Sequence, residues 1–370
     1  MMWQLTTQKN WDELEHQFGF VRDMRDVPQD PRHHAEGDVA VHTRLVVEQL
    51  QQRPGYQQLN PQDQAVLWTA ALLHDVEKRS TTVLETDGSI TSRGHARRGE
   101  QTTRELLYRS FPAPFKLREQ IAKLVRYHGL PLWIFEKPDP LKSLLQTSLE
   151  VNTQWLALLA EADVRGRICT DQAELLEKIA FFRAYCEENG CWGTPYPFSS
   201  GLNRFTYFYK EDASPTYEPF DTTVFEVVLL AGLPGAGKDT YISKQLADWP
   251  VVCLDDFRRQ FRIDPADREG TGYVVQMAKE KAKTLLRQQQ SFVWNATNLT
   301  RQVRQQLIEL FVTYKARVRL VYLEVPYTQL KQQNQNRIHV VPNAVMARML
   351  SRFEIPACWE AHEVVYEVRT

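Results

Sequence analysis

Apolar positions recur at helical spacing through Val39–Leu50, Ala65–Val76, Ile121–Tyr127 and Val151–Ala162. A stripe of this period predicts helices that bury one face. The run AVLWTAALLHD is too long and too alanine-rich for a strand. Pro and Gly mark the joins at Pro54-Gly55, Pro112-Ala113-Pro114 and Pro138-Asp139-Pro140. Residues 1–190 therefore read as an all-α domain. Residues 191–222 lose the periodicity and are rich in Gly, Pro, Ser and aromatics, as expected of a connection packed through its rings. From 223 to 370 short apolar runs alternate with helical patterns. The predicted strands are Val224–Ala231, Val251–Leu254, Phe292–Asn295, Val318–Leu323 and Val364–Val368, with helices over Tyr273–Gln289 and Arg301–Tyr314. That alternation predicts an α/β domain with a mostly parallel sheet.

Composition narrows the setting. The chain has 370 residues, 43% hydrophobic and 25% charged, which suits a globular protein of two domains. No segment approaches eighteen consecutive apolar residues, and no signal-like segment is seen, so a membrane is not expected as a partner. Five cysteines without a CxxC pair point to a reducing cytoplasm. Residues 223–370 hold 20 Lys+Arg against 15 Asp+Glu, while the remainder holds 25 against 31. Only the C-terminal part is electrostatically inviting to nucleic acid.

The segment FEVVLLAGLPGAGKDT joins an apolar strand to Gly232, Gly235, Gly237 and Lys238. Such a loop turns its N–H groups onto phosphate oxygens ahead of a helix N-terminus, with the lysine reaching the β- and γ-phosphates. Asp239 replaces the usual Ser/Thr after the lysine and is placed to hold Mg²⁺; Thr240 then meets an inner phosphate. Strand Val251–Leu254 leads to Asp255, a general base for an attacking hydroxyl, and Arg258, which can hold an acceptor phosphate. Asp256 reads as a helix cap.

The strings LAGLPGAGKDT, LDDFRR, NATNLT and VPYTQLKQQNQNR resemble the kinase module of phage-type 5'-hydroxyl polynucleotide kinases. The resemblance implies Asp255 as the base, Arg258 on the phosphate 3' of the acceptor nucleoside, and Arg337 as a lid arginine on the donor. It also implies ATP or another NTP with Mg²⁺. The family's acidic strand end is Ala296 here.

In the N-terminal domain His42, the pair His74-Asp75, His95, His128 and Asp163 fall on or beside successive helices. Imidazoles and carboxylates converging from several helices form a divalent-metal site. Lys78, one turn past His74, is placed to neutralise a phosphate; His34 and Glu36 could contact substrate, and Arg165 and Arg167 could meet phosphate or solvent. The order H…HD…H…H…D resembles the HD phosphohydrolase superfamily, and PQDPRHHAEGDVAVHT, LLHDVEK and GHARRG resemble the HD domain of bacterial tRNA nucleotidyltransferases. The resemblance implies one metal on His42, His74, Asp75 and Asp163. It implies a second on His95 and His128, bridged by Asp75, with Mn, Co, Ni, Fe or Zn suited to the imidazoles.

The whole arrangement resembles bifunctional HD-Pnk RNA-repair enzymes. That resemblance implies hydrolysis of 2',3'-cyclic or 2'/3'-phosphate ends, phosphorylation of 5'-hydroxyl ends, and a separate RNA ligase as partner. Two other readings stay open at this point: a nucleotide-metabolising kinase–phosphohydrolase fusion acting on small molecules, and a nucleotide-switched regulator without turnover.

Overall fold

The computed structural model describes residues 2–264, 267–337 and 339–369. The chain divides into two compact units, Met1–Pro197 and Phe198–Thr370. No helix among the described residues is long and apolar enough to cross a membrane.

The first unit is helical around the Pro61–Leu73 helix. Asn60 caps that helix by accepting the Asp63 amide, and Pro61 presets its first turn. Every residue from Ala65 to Leu73 is buried, so this helix is the centre of the unit rather than a surface element. Helices Val39–Gln52, Phe115–Tyr127 and Thr153–Arg165 pack about it. Two small residues set the approach distances. A Cβ on Gly99, in the His95–Glu105 helix, would stand 2.9 Å from Val125. One on Gly166 would stand 2.8 Å from Val46 Cγ2 and 3.0 Å from its backbone nitrogen. A two-residue antiparallel ribbon, β1 (Val83–Leu84) with β2 (Ile90–Thr91), precedes His95.

The second unit is an α/β layer with five parallel strands: β3 (Phe225–Ala231), β4 (Val251–Cys253), β5 (Phe292–Asn295), β6 (Ala316–Glu324) and β7 (Glu363–Val368). Their order is β4-β5-β3-β6-β7. The central β3 pairs with β6 from Phe225↔Ala316 to Ala231↔Tyr322 and is almost wholly buried, as expected of a strand covered on both faces. The predicted strands lie where the apolar runs placed them. Their ends differ by one or two residues: β3 begins at Phe225, β6 extends to Ala316 and Glu324, β7 begins at Glu363, and Leu254 opens the Leu254–Phe261 helix instead of ending β4.

The segment 191–222 is shared. Cys191 belongs to the first unit, where its carbonyl accepts from Thr153 Oγ1 at 2.6 Å. In the second, the Gly201–Tyr209 helix packs Phe208 on Trp359 and Phe205 on His362. The expected aromatic packing of this stretch is thus seen.

Candidate functional site

Five helices bring the histidines and aspartates of the first unit together. His42 lies on the Val39–Gln52 helix, which Asp38 caps. His74 and Asp75 directly follow the central helix, and His128 follows the Phe115–Tyr127 helix. His95 begins its helix, and Asp163 stands near the end of another. All but His95 are buried.

The ligand atoms form two groups, His42–His74–Asp163 and Asp75–His95–His128, the atoms within each lying within 4.8 Å of one another. Asp75 ties them. Its Oδ2 is 3.2 Å from His74 Nε2 and 3.8 Å from His42 Nε2, and its Oδ1 is 3.3 Å from His95 Nε2 and 3.8 Å from His128 Nε2. His42 Nε2 is 3.1 Å from Asp163 Oδ1. Three rings are fixed from behind. Nδ1 of His74, His95 and His128 meets the carbonyl three residues earlier at 2.7, 2.7 and 2.8 Å. A carbonyl can only accept, so each Nδ1 carries the proton and each Nε2 offers its lone pair. His42 is held by Glu36 instead, with Nδ1 2.8 Å from Oε1. The same oxygen contacts His34 Nδ1 at 2.8 Å.

His74 Nε2 and Asp75 Oδ1 are buried without a hydrogen-bond partner, a costly state for polar atoms unless a cation satisfies them. A largely buried donor set of imidazoles and carboxylates fits divalent transition metals. Burial pushes the His128 imidazole down to about 3 and also lowers His95, keeping both neutral as ligands must be. Burial alone would raise the Asp75 carboxyl, but Lys78 and the surrounding histidines hold it well below the usual range. Asp163 follows the same pattern, with Arg167 as the main opposing charge.

Lys78 and Arg167 are therefore close to the site but engaged. Lys78 Nζ is 2.7 Å from Asp75 Oδ2 and donates to Gln29 at 2.8 Å. Arg167 grips both Asp163 oxygens. Arg165 turns to Glu161. A cavity of about 440 Å³ opens from the site, lined in part by His34, Lys78 and Arg167.

In the second unit the loop after β3 takes left-handed backbone at Gly235 and Gly237 (φ 86° and 95°), which a Cβ would strain. Gly232 is as constrained, because a Cβ there would stand 2.6 Å from the Leu323 carbonyl. Lys238 opens the Lys238–Gln245 helix, and its ammonium folds back to donate to the carbonyls of Gly232 and Leu233 at 2.9 and 3.0 Å. Burial, together with the Arg337 guanidinium, lowers it to about 8, while Asp239 and Asp255 act in the opposite sense. Lys238, Asp239, Asp255 and Arg337 thus share one electrostatic neighbourhood. Arg337 lies just past the Tyr327–Gln335 helix. Asp255 sits in the first turn of its helix and takes Arg258 Nη1 at 2.8 Å. Thr240 is exposed on the helix following the loop.

Two expectations change. Asp256 is not the helix cap; it lies inside the first turn and pairs with Arg259, while Cys253 occupies the cap position. The strand end without the acidic residue still meets a carboxylate, because Asn295 Nδ2 donates to Asp239 Oδ1 at 2.8 Å. The helix thus carries the acid and the strand the amide. Asn298, in left-handed backbone, instead braces β3 through the Leu230 carbonyl.

Comparison with known proteins agrees with this division. A model of the HD domain family matches residues 38–163, and a model of an AAA domain family matches residues 227–356. A multifunctional CCA protein of Methylococcus capsulatus is 35% identical over 161 residues, 42% of this chain and 33% of that protein. The chain therefore spans about a third of the length of that relative. A crystal structure described as a candidate kinase of Chloroflexus aurantiacus shares 17% identity and covers 40% of this chain and 86% of its own, with a TM-score of 0.34, too low to argue from. The chain thus joins a region that matches the HD domain family to a phosphate-loop region that matches an AAA domain family.

Proposed function

We propose that this protein heals broken nucleic-acid ends, RNA above all. The helical unit removes 2',3'-cyclic phosphate or 2'/3'-phosphate from one end, and the α/β unit phosphorylates a 5'-hydroxyl at the other. One observation carries the reading. A two-group histidine–aspartate site joined by Asp75 shares a chain with a phosphate loop grouped with the Asp255–Arg258 pair.

In the helical unit, divalent ions held by His42, His74, Asp75 and Asp163, and by His95 and His128, would supply a hydroxide near neutral pH and polarise a phosphoryl oxygen. The chain's own residues do the rest. Glu36 and the three backbone carbonyls fix the rings. Lys78 and Arg167 stand beside the carboxylates, where their remaining N–H groups can receive the phosphate. Water adds to phosphorus as the P–O2' or P–O3' bond of the cyclic ester breaks, leaving a phosphomonoester. A second hydrolysis breaks the remaining ester bond and yields a free hydroxyl and inorganic phosphate.

In the α/β unit Gly232, Gly235 and Gly237 cradle the donor NTP while Lys238 leaves its own loop carbonyls for the phosphates. Asp239 is placed to hold Mg²⁺ and Arg337 to meet the donor phosphates. Asp255 accepts the proton of the 5'-hydroxyl as its oxygen attacks the γ-phosphorus in line, the NDP leaves, and Arg258 holds the neighbouring acceptor phosphate. The products, a 3'-hydroxyl and a 5'-phosphate, are what a separate RNA ligase joins, and the reaction belongs in a reducing cytoplasm.

The test is RNA with a 5'-hydroxyl and a 2',3'-cyclic phosphate, incubated with ATP, Mg²⁺ and Mn²⁺. Wild type should change both ends, Asp255→Ala only the 3' side, and His74→Ala/Asp75→Ala only the 5' side. Phosphorylation of nucleosides but never of RNA ends would make the α/β unit a small-molecule kinase and sink the proposal.

A further inference from the structure

The cavity beside the histidine–aspartate site has a second group of lining residues that phosphate hydrolysis alone does not need: Trp133, Lys137, Gln146 and Arg126. Its volume, about 440 Å³, is that of a small-molecule site and more than a phosphate requires. Trp133 ends the Leu130–Trp133 helix and is 41% exposed, a large flat aromatic surface in the cavity wall. Lys178 Nζ stands 4.7 Å from its ring centre, and no other aromatic ring stacks on it among the described residues. Gln146 spends its amide nitrogen on Tyr127 Oη at 3.3 Å, which leaves its carbonyl oxygen to accept.

The charges are distributed unevenly. Lys78 and Arg167 are matched by Asp75 and Asp163. Lys137 makes no ion pair among the described residues, and Arg126 has only Glu100 at 3.7 Å. The surplus positive charge thus lies outside the ligand groups, on side chains free to meet a second phosphate. A flat ring, an amide acceptor and two cations, of which Lys137 makes no ion pair among the described residues, together are the equipment of single-strand recognition.

We propose that this wall is a nucleoside pocket. Trp133 stacks on the base of a strand's terminal nucleotide, Gln146 accepts from the base edge, and Lys137 and Arg126 take the next phosphate toward the 5' side. The inference rests on reading the helical unit as a phosphohydrolase of nucleic-acid ends, and adds that the unit demands a base.

Three substrates separate these demands: glycerol 2-phosphate, which has no base; adenosine 3'-phosphate; and a dinucleotide ending in 3'-phosphate. With Mn²⁺-loaded protein, Trp133→Ala should lower the preference for adenosine 3'-phosphate over glycerol 2-phosphate about tenfold, and Trp133→Phe should keep most of it. Lys137→Ala should lower the preference for the dinucleotide over the mononucleotide. Calorimetric binding of adenosine 3'-phosphate without added metal should weaken about tenfold in Trp133→Ala, independently of turnover. Unchanged preference and unchanged binding in Trp133→Ala overturn the pocket, as does a wild type that treats the first two substrates alike. If Trp133 governs adenosine 3'-phosphate but the dinucleotide end is untouched, the pocket stands and end healing falls. If Trp133→Ala still clears RNA ends with wild-type efficiency, healing stands and the pocket falls.

Discussion

Replacing Gly166 with alanine tests whether backbone proximity sets the metal-ligand geometry. Gly166 follows the helix that carries Asp163, and its missing side chain faces Val46 on the helix that carries His42. The new Cβ would stand 2.8 Å from Val46 Cγ2, 3.0 Å from Val46 N and 3.2 Å from Val46 Cα. The methyl can turn away; the backbone atoms cannot. Ordinary contact begins near 3.4 Å, so Val46 N has to retreat by about 0.4 Å. Gly166 has φ −76°, so alanine adds no backbone strain and the effect is purely one of contact. Overpacking of this kind costs about 1–3 kcal/mol, which lowers the melting temperature of a unit this size by roughly 2–10 °C. The same displacement separates His42 Nε2 from Asp163 Oδ1, now 3.1 Å apart. Gly166→Ala should therefore lose Mn²⁺ affinity about tenfold or more and lose 3'-end hydrolysis, while 5'-kinase activity serves as an internal control. A variant that melts like wild type and binds Mn²⁺ with the same affinity would refute the argument.

Other perturbations address separate features. Asp239→Asn should raise the Mg²⁺ concentration for half-maximal kinase activity about tenfold, and Asn295→Ala, which removes only the orienting amide, should raise it less; equal Mg²⁺ curves for all three proteins would count against a metal role. Glu100 is half-buried beside Lys123 and Arg104, and although desolvation favours its neutral form, these cations lower its carboxyl to about 2. Since the unfolded chain protonates Glu100 first, its contribution is complete above about pH 4.5 and fades as pH falls toward 2. Glu100→Gln should destabilise the helical unit by about 3 kcal/mol at pH 7 and flatten the acid limb of its denaturant-midpoint profile; an unchanged limb would rule this out.

Much of the molecule is legible where local chemistry decides. The phosphate loop is readable because its three constrained positions admit only glycine. The strands are readable because parallel strands buried on both faces are written as unbroken apolar runs. The histidine–aspartate cluster is readable because a helix as apolar as Pro61–Leu73 has no local reason to end in His-Asp. The rest depends on distant partners. No sequence spacing announces that Glu36 also orients His42 or that Arg167 also balances Asp163. Asn295 gives no sign of its role until β5 is set beside the loop helix, 56 residues away in sequence. Trp133 and Lys137 carry no motif at all, since a cavity wall is assembled from residues whose spacing is set only by packing.

The helix ends around Asp75 also make an electric field of their own. His74, Asp163 and His128 all stand at or near the C-terminal end of a helix, where the summed peptide dipoles present a negative pole. His95 and His42 come from N-terminal ends, the positive pole. Each group therefore draws two ligands from negative poles, His74 and Asp163 in one and Asp75 and His128 in the other, and one ligand from a positive pole. With each pole worth about 0.3–1 kcal/mol, the helix ends contribute alike to the two groups. Any difference in cation affinity between them has to come from the side chains, not from the backbone.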